Sequence, residues 1–178
     1  MRWTCNCGEV ELEVAPGDGT RLVCFCSSCQ RFANDFGAGD TLEHGGGADL
    51  YQTAPEAVSI IKGEDKLSWV KYTAKGPNRW YTTCCETPMA NSLSTRNIPF
   101  ATILSHNIDD QSQLGPVVAR VNRKGATAQI TEDAGNAGKA IRAFVWRALR
   151  SRLSGRYKQN PFFDASGALI ASGRSLGD

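Results

Sequence analysis

Residues 23–32 read VCFCSSCQRF. Three cysteines fall at spacings of two and three, followed by Gln30, Arg31 and Phe32. Thiolates packed this closely have the spacing of metal ligands, yet a structural zinc takes four donors. Either a fourth ligand lies elsewhere in the chain, or Cys24, Cys26 and Cys29 leave one position open.

The other cysteines bear on that choice. The 178 residues contain seven, grouped as Cys5-Asn6-Cys7, the trio, and the vicinal pair Cys84-Cys85. An odd number with no export signal argues against a disulfide framework and for metal ligation in a reducing compartment. In an extended strand residues i and i+2 share a face, so Cys5 with Cys7, and Cys24 with Cys26, can each reach one ion. The turn at Ser27-Ser28 would fold Cys29 back to join the second pair. Seven then divides into Cys5, Cys7, Cys84 and Cys85 as a closed zinc site and the trio as an open one. Neighbours in a strand face opposite ways, so Cys84 and Cys85 share an ion only if the chain turns there. A single zinc with the remaining thiols idle is the competing reading.

The rest of the chain supplies the frame. A hydrophobic share of 41%, a charged share of 21% and a net charge of +2 describe an ordinary globule with no bulk attraction to nucleic acid or anionic membrane. The N-terminus lacks an apolar leader and no run reaches membrane-spanning length, so a cytoplasmic location is expected. Val10, Leu12 and Val14 alternate with Glu9, Glu11 and Glu13, the signature of a half-buried strand. Further strands are predicted at TRLVCFC, on either side of Gly63-Glu64-Asp65, at RWYTTCC, PFATILSH and PVVARVN, giving a mainly antiparallel β body over residues 1–130. Residues 131–178 change character. A helix is predicted from Ala137 to Leu153, with Asn136 as N-cap and Gly155 as its stop. Its apolar stripe, Ile141, Phe144, Val145, Ala148 and Leu149, is expected to face the core, with Lys139, Arg142, Arg147 and Arg150 in solvent. Phe162 and Phe163 would pack the tail back onto the body. His44 and His106 are read as a solvated loop residue and a satisfied strand-edge residue.

Taken in order, CNCG, CFCSSCQRF, KGEDKLSWVKYT and WYTTCCETPM resemble the superfamily of glutathione-dependent formaldehyde-activating enzymes and centromere protein V, in what looks like an uncharacterised bacterial branch. The matching blocks cover roughly residues 3–105. The resemblance implies a β-tent, similar to the Mss4-like zinc folds, with a structural zinc on the CxC pair and later cysteines and a catalytic zinc on the CxCxxC group. One block departs from the family pattern: its Cys-x-x-Cys-Gly would fall on positions 82, 85 and 86, which here are Thr82, Cys85 and Glu86, with Cys84 as the nearest substitute.

An open tri-thiolate zinc is anionic and a weak Lewis acid, better suited to presenting a thiolate than to making hydroxide. The activity this implies is a carbon–sulfur lyase of the S-(hydroxymethyl)glutathione synthase kind, joining glutathione to formaldehyde, with Gln30 and Arg31 as candidates to hold the tripeptide. Three alternatives stand beside it. The chain is a zinc-stabilised binding module without catalysis; Arg31 is a surface ion pair; or, least in keeping with the cysteine spacing, the protein is a zinc-containing methionine sulfoxide reductase.

Overall fold

The alternation at residues 9–14 places its apolar members inside: Val10, Leu12 and Val14 have no exposed surface, while Glu9 and Glu13 face solvent. The computed structural model, which describes residues 1–176, is mainly β with two helices. In chain order the elements are β1 (Arg2–Thr4), β2 (Glu11–Val14), β3 (Thr20–Cys24), α1 (Ser27–Asp35), β4 (Ala48–Thr53), β5 (Val58–Lys62) and β6 (Leu67–Lys71). There follow β7 (Asn78–Thr82), β8 (Pro88–Ser92), β9 (Ala101–Leu104), β10 (Ala119–Val121), α2 (Ala137–Leu153) and β11 (Gly173–Ser175).

Two sheets result. A small antiparallel one runs β1-β2-β5, and a large one runs β10-β3-β4-β9-β8-β7-β6-β11. The large sheet is antiparallel through its middle, but both edge pairs, β10 with β3 and β11 with β6, are parallel. The strands flanking residues 63–66 do not pair with each other: β5 joins the small sheet and β6 the large one. Gly63 makes that switch, with φ of 77° and no room for a side chain, since a Cβ there would meet the Glu9 carbonyl at 2.4 Å. Between the sheets lies a core that includes Trp3, Leu12, Trp80, Met89, Ile103 and Phe162. The C-terminal segment is part of it, for the Phe162 ring lies 5.0 Å from that of Trp80 and β11 extends the sheet.

Two local expectations are corrected. The Ser27-Ser28-Cys29 stretch does not form a simple turn but opens α1, with Cys26 at the N-cap in extended conformation. Cys5 and Cys7 are not in a strand either: β1 ends at Thr4 and they occupy a turn, closed by a 2.9 Å bond from the Gly8 N–H to the Cys5 carbonyl. Gly8 sits at φ 76°, a region that L-residues avoid.

Helix α2 has the predicted limits, with Asn136 Oδ1 accepting from the Lys139 N–H at 2.8 Å and Gly155 at φ 75° beyond its end. Its inward face is rotated from the expected one: Lys139, Arg142 and Arg150 lie in solvent as expected and Phe144 and Ala148 are half-buried, but Arg147 is inside and the rest of the apolar stripe is outside. Ala140, Arg147 and Ser151 face inward, while Ile141, Val145, Trp146, Leu149 and Leu153 are exposed. Arg147 is only 7% exposed, donating to the Asp18 carbonyl (3.0 Å), to Thr20 Oγ1 (2.9 Å) and to Gln52 Oε1. Small Ala140 and Ser151 let the helix lie close to β3 and β4, and those strands present a ring of polar acceptors that a guanidinium satisfies and an aliphatic chain would strand.

Candidate metal centres

The chain brings its seven cysteines together in two groups. Within each group, Cys5, Cys7, Cys84 and Cys85 in one and Cys24, Cys26 and Cys29 in the other, the sulfurs all lie within 4.8 Å of one another. All seven are free thiols.

In the quartet, Sγ–Sγ separations are 3.6 Å for Cys5–Cys7, 3.9 Å for Cys5–Cys84, 3.3 Å for Cys7–Cys84 and 3.8 Å for Cys84–Cys85. With Zn–S bonds of about 2.3 Å, the edges of a tetrahedral site come to about 3.8 Å, so these sulfurs fit the ion with small adjustments. The vicinal pair achieves this because β7 ends at Thr82 and residues 83–85 turn. Glu86 then takes φ of 55°, a left-handed conformation at the position where the family pattern has glycine. Thr82, at the other substituted position, directs its hydroxyl to Cys85 Sγ (3.4 Å) and accepts the Thr87 N–H (3.2 Å). Around the sulfurs, the Val10 N–H points at Cys5 Sγ (3.2 Å) and Thr87 Oγ1 lies 3.1 Å from Cys85 Sγ. Burial of Cys85 opposes its ionisation, but the Thr82 and Thr87 hydroxyls outweigh this and bring its thiol down to about 5. The quartet joins a turn after β1 to a turn after β7, a clasp across 79 residues between Cys5 and Cys84.

The trio is assembled from a strand end, an N-cap and the first turn of a helix. Cys24 closes β3, Cys26 caps α1 and Cys29 lies in its first turn. Hydrogen bonds from Cys24 and Cys29 hold the Cys26 thiol far below the usual range, and the start of α1 adds a backbone N–H. Cys29 is pushed well up by Cys24, Cys26 and burial, and Cys24 is pushed up by Cys26 and burial against an opposing bond from Cys29. Three thiols whose sulfurs all lie within 4.8 Å of one another could hold a divalent cation in place of their protons.

A second feature fits the same set. Arg79, on β7 and only 3% exposed, forms no ion pair with a carboxylate among the described residues. Its Nη1 lies 3.6 Å from Cys29 Sγ and 3.0 Å from Asn91 Oδ1, and its Nη2 lies 2.7 Å from Ser28 Oγ. A buried guanidinium needs a compensating anion. Three thiolates around a zinc ion carry one net negative charge and would provide it. Asn122 Nδ2 donates to Cys24 Sγ at 3.2 Å. The trio and Arg79 line a cavity of about 300 Å³ whose other walls include Leu22, Leu50, Pro77 and Phe100.

Gln30 and Arg31 are placed away from this cavity. The Gln30 amide donates to the Phe25 and Gly125 carbonyls, both at 2.8 Å, tying α1 to the loop after β10. Arg31 pairs with Asp35 (3.2 Å) and covers the Tyr72 ring. Sequence reading passed over Arg79, Asn91 and Asn122. Arg79 reads as an outward residue of an alternating strand, and nothing in its neighbourhood marks a contact with a helix fifty positions earlier. His106 is partly buried and flanks a small recess with Asp49 and Thr41, and no cysteine lines that recess.

Among curated proteins none matches the chain. A crystal structure of a Rhodobacter sphaeroides protein, a structural-genomics target, is similar at 20% identity with a TM-score of 0.45, over 66% of this chain and 97% of that one. A protein family described as a family of unknown function, DUF6151, matches residues 1–170.

Proposed function

The chain belongs to the DUF6151 family, and from the geometry of its own cysteines we propose that it is a two-zinc protein with one architectural and one receptive site. The architectural ion would be held by Cys5, Cys7, Cys84 and Cys85, and the receptive one by Cys24, Cys26 and Cys29. In fold the proposal is a β-tent of the glutathione-dependent formaldehyde-activating kind, in keeping with the resemblance of the cysteine blocks.

The observation that carries the reading is that the three sulfurs open onto a cavity instead of being capped by a fourth protein donor: the residues lining it with them offer Arg79, Asn91, Ser28, Gln52 and Thr102 but no further cysteine, histidine or carboxylate. Zinc, when bound there, supplies a position at which an incoming thiol loses its proton near neutral pH. The reaction would be addition of that thiol, such as glutathione, to a small aldehyde such as formaldehyde. The sulfur attacks the carbonyl carbon, a C–S bond forms as the C=O π bond opens, and the proton released by the thiol ends on the carbonyl oxygen. The reverse is a carbon–sulfur lyase reaction.

The chain's own groups have definable parts. Arg79 is fixed by Asn91 and Ser28 so that its charge faces the sulfurs, where it favours thiolate over thiol and offers a donor to an oxygen that becomes negative. Asn122 orients Cys24.

Zinc content and turnover test this directly. Purified protein is expected to carry two zincs, and Cys26→Ala one, with the β fold retained. Glutathione and formaldehyde are expected to form adduct above the spontaneous rate with the parent protein only. One zinc in the parent returns the reading to a single site with idle thiols. A second reading, a zinc-stabilised binding module without catalysis, is favoured by the exposed Ile141, Val145, Trp146, Leu149 and Leu153 of α2. It becomes the better one if two zincs are present and no form of the protein turns over.

A further inference from the structure

The cavity beside the trio does not stop at Phe100. A second recess of about 200 Å³ shares Leu22, Gln52 and Phe100 with it and continues under α2, walled by Val121, Ala140, Ile141 and Phe144. The two recesses adjoin at these shared residues, with sulfur and a guanidinium lining the first and mostly hydrocarbon lining the second, and are taken together as one groove. Phe144 from the helix and Phe100 from the body meet edge to face, 5.8 Å between centroids, at the junction.

The polar groups along the groove are already engaged. Gln52 accepts from Arg147 through its oxygen and donates to the Thr53 carbonyl through its nitrogen. Asn91 accepts from Arg79 and donates to Thr102 Oγ1 at 2.6 Å. Ser28 Oγ is taken by Arg79. A guest therefore finds charge only at the trio and Arg79, the hydroxyls of Ser28 and Thr102 beside them, and apolar surface toward α2. A charged peptide laid along the groove would leave its carboxylates and ammonium without partners and desolvated, which costs binding.

We propose that the groove takes a thiol bearing an unbranched apolar tail, its sulfur at Cys24, Cys26 and Cys29 and its hydrocarbon running past Phe100 to Phe144 and Ile141. This deepens the reading of the trio as a receptive zinc site and rests on it. Helix α2 then supplies the far wall of the site through Ala140, Ile141 and Phe144.

The inference is tested by calorimetric binding of a homologous series, ethanethiol, butanethiol and hexanethiol, to the zinc-loaded protein, with the corresponding alkanols and glutathione alongside. Affinity is expected to rise about 3- to 4-fold for each added methylene in the thiol series. Phe144→Asp, at a half-buried position, is expected to abolish that increment and leave ethanethiol binding intact; Phe144→Leu is expected to keep it. An affinity independent of chain length in the parent protein overturns the inference. So does glutathione binding more tightly than hexanethiol, although that result would sustain the thiol-binding reading of the trio. Alkanols that bind as well as the thiols, with the same increment, would sustain the groove and overturn the thiol reading instead.

Discussion

Arg79 Nη1 lies 3.6 Å from Cys29 Sγ, although the two are 50 positions apart in the chain. The guanidinium comes from a central strand of the large sheet and the sulfur from the first turn of α1, so the contact fastens the helix that carries Cys26 and Cys29 to the sheet. It also sets a cation against three thiols that otherwise repel one another as they ionise.

Arg79→Ala would leave Asn91 Oδ1 and Ser28 Oγ without their donor and remove the charge that offsets the thiolates. A destabilisation of about 1–3 kcal/mol is expected from the stranded polar groups. Metal loss from the trio is expected at lower chelator concentration than in the parent, while the quartet keeps its ion. Denaturant midpoints and zinc counts along a chelator titration check this. Arg79→Lys keeps the charge but not the fork, and is expected to recover metal retention only in part.

Cys84→Ser is expected to weaken the clasp between the turn after β1 and the turn after β7. Loss of one zinc with a drop in thermal midpoint is the expected outcome, since an ion on the quartet would tie the turn after β1 to the turn after β7. Retention of two zincs in that variant would show Cys84 to be no ligand. Thr82→Cys creates a Cys-x-x-Cys spacing with Cys85, and in a Cys84→Ser background it is expected to recover the lost ion.

His106 titrates below its ordinary value of 6.5 because burial disfavours the imidazolium, with Asp40 and Asp49 opposing that shift from nearby. A depressed histidine means that the unfolded chain takes up the proton first. Its contribution is therefore fully present above pH 6.5 and is lost as the pH falls from there toward the folded value. His106→Gln is expected to narrow the gap in urea midpoint between pH 7.5 and pH 5.5 relative to the parent; an unchanged gap would refute the assignment.

The rotated face of α2 separates two substitutions of similar drama on paper. Arg147→Leu strands Thr20, Gln52 and the Asp18 carbonyl and is expected to cost about 1–3 kcal/mol. Leu153→Glu, at a position 80% exposed, is expected to change stability by no more than about 0.5 kcal/mol. Thermal unfolding of both variants decides which face is inside.

Phe162→Ala probes how firmly the tail is docked. The ring is fully buried against Trp80, so its loss is expected to cost about 3–5 kcal/mol, as for an aromatic residue in a core and unlike one in a loose terminus.

Much of this molecule is legible residue by residue. The alternation from Glu9 to Val14 determines a strand and its inward face, because a period of two leaves no other way to bury three aliphatics together. The limits of α2 follow from Asn136 and Gly155, whose side chain and backbone freedom suit a helix start and stop. The local groups, Cys5 with Cys7 and Cys24 with Cys26 and Cys29, follow from their spacing and from the chemistry that makes clustered thiols metal donors, while the meeting of the first pair with Cys84 and Cys85 is a tertiary contact. Three other features were settled only by the tertiary structure. Periodicity divides a helix into two faces but cannot say which one meets a partner, and for α2 the acceptors at Asp18, Thr20 and Gln52 drew Arg147 inward. Adjacent Cys84 and Cys85 converge because the chain turns beyond Thr82 and accepts a left-handed Glu86. The tie between Arg79 and Cys29, and the groove reaching from that pair to Phe144, arise where a strand, two helices and a strand end meet. Side chains that far apart in the chain leave no joint mark on local pattern, since their contact energy exists only once the sheet has formed.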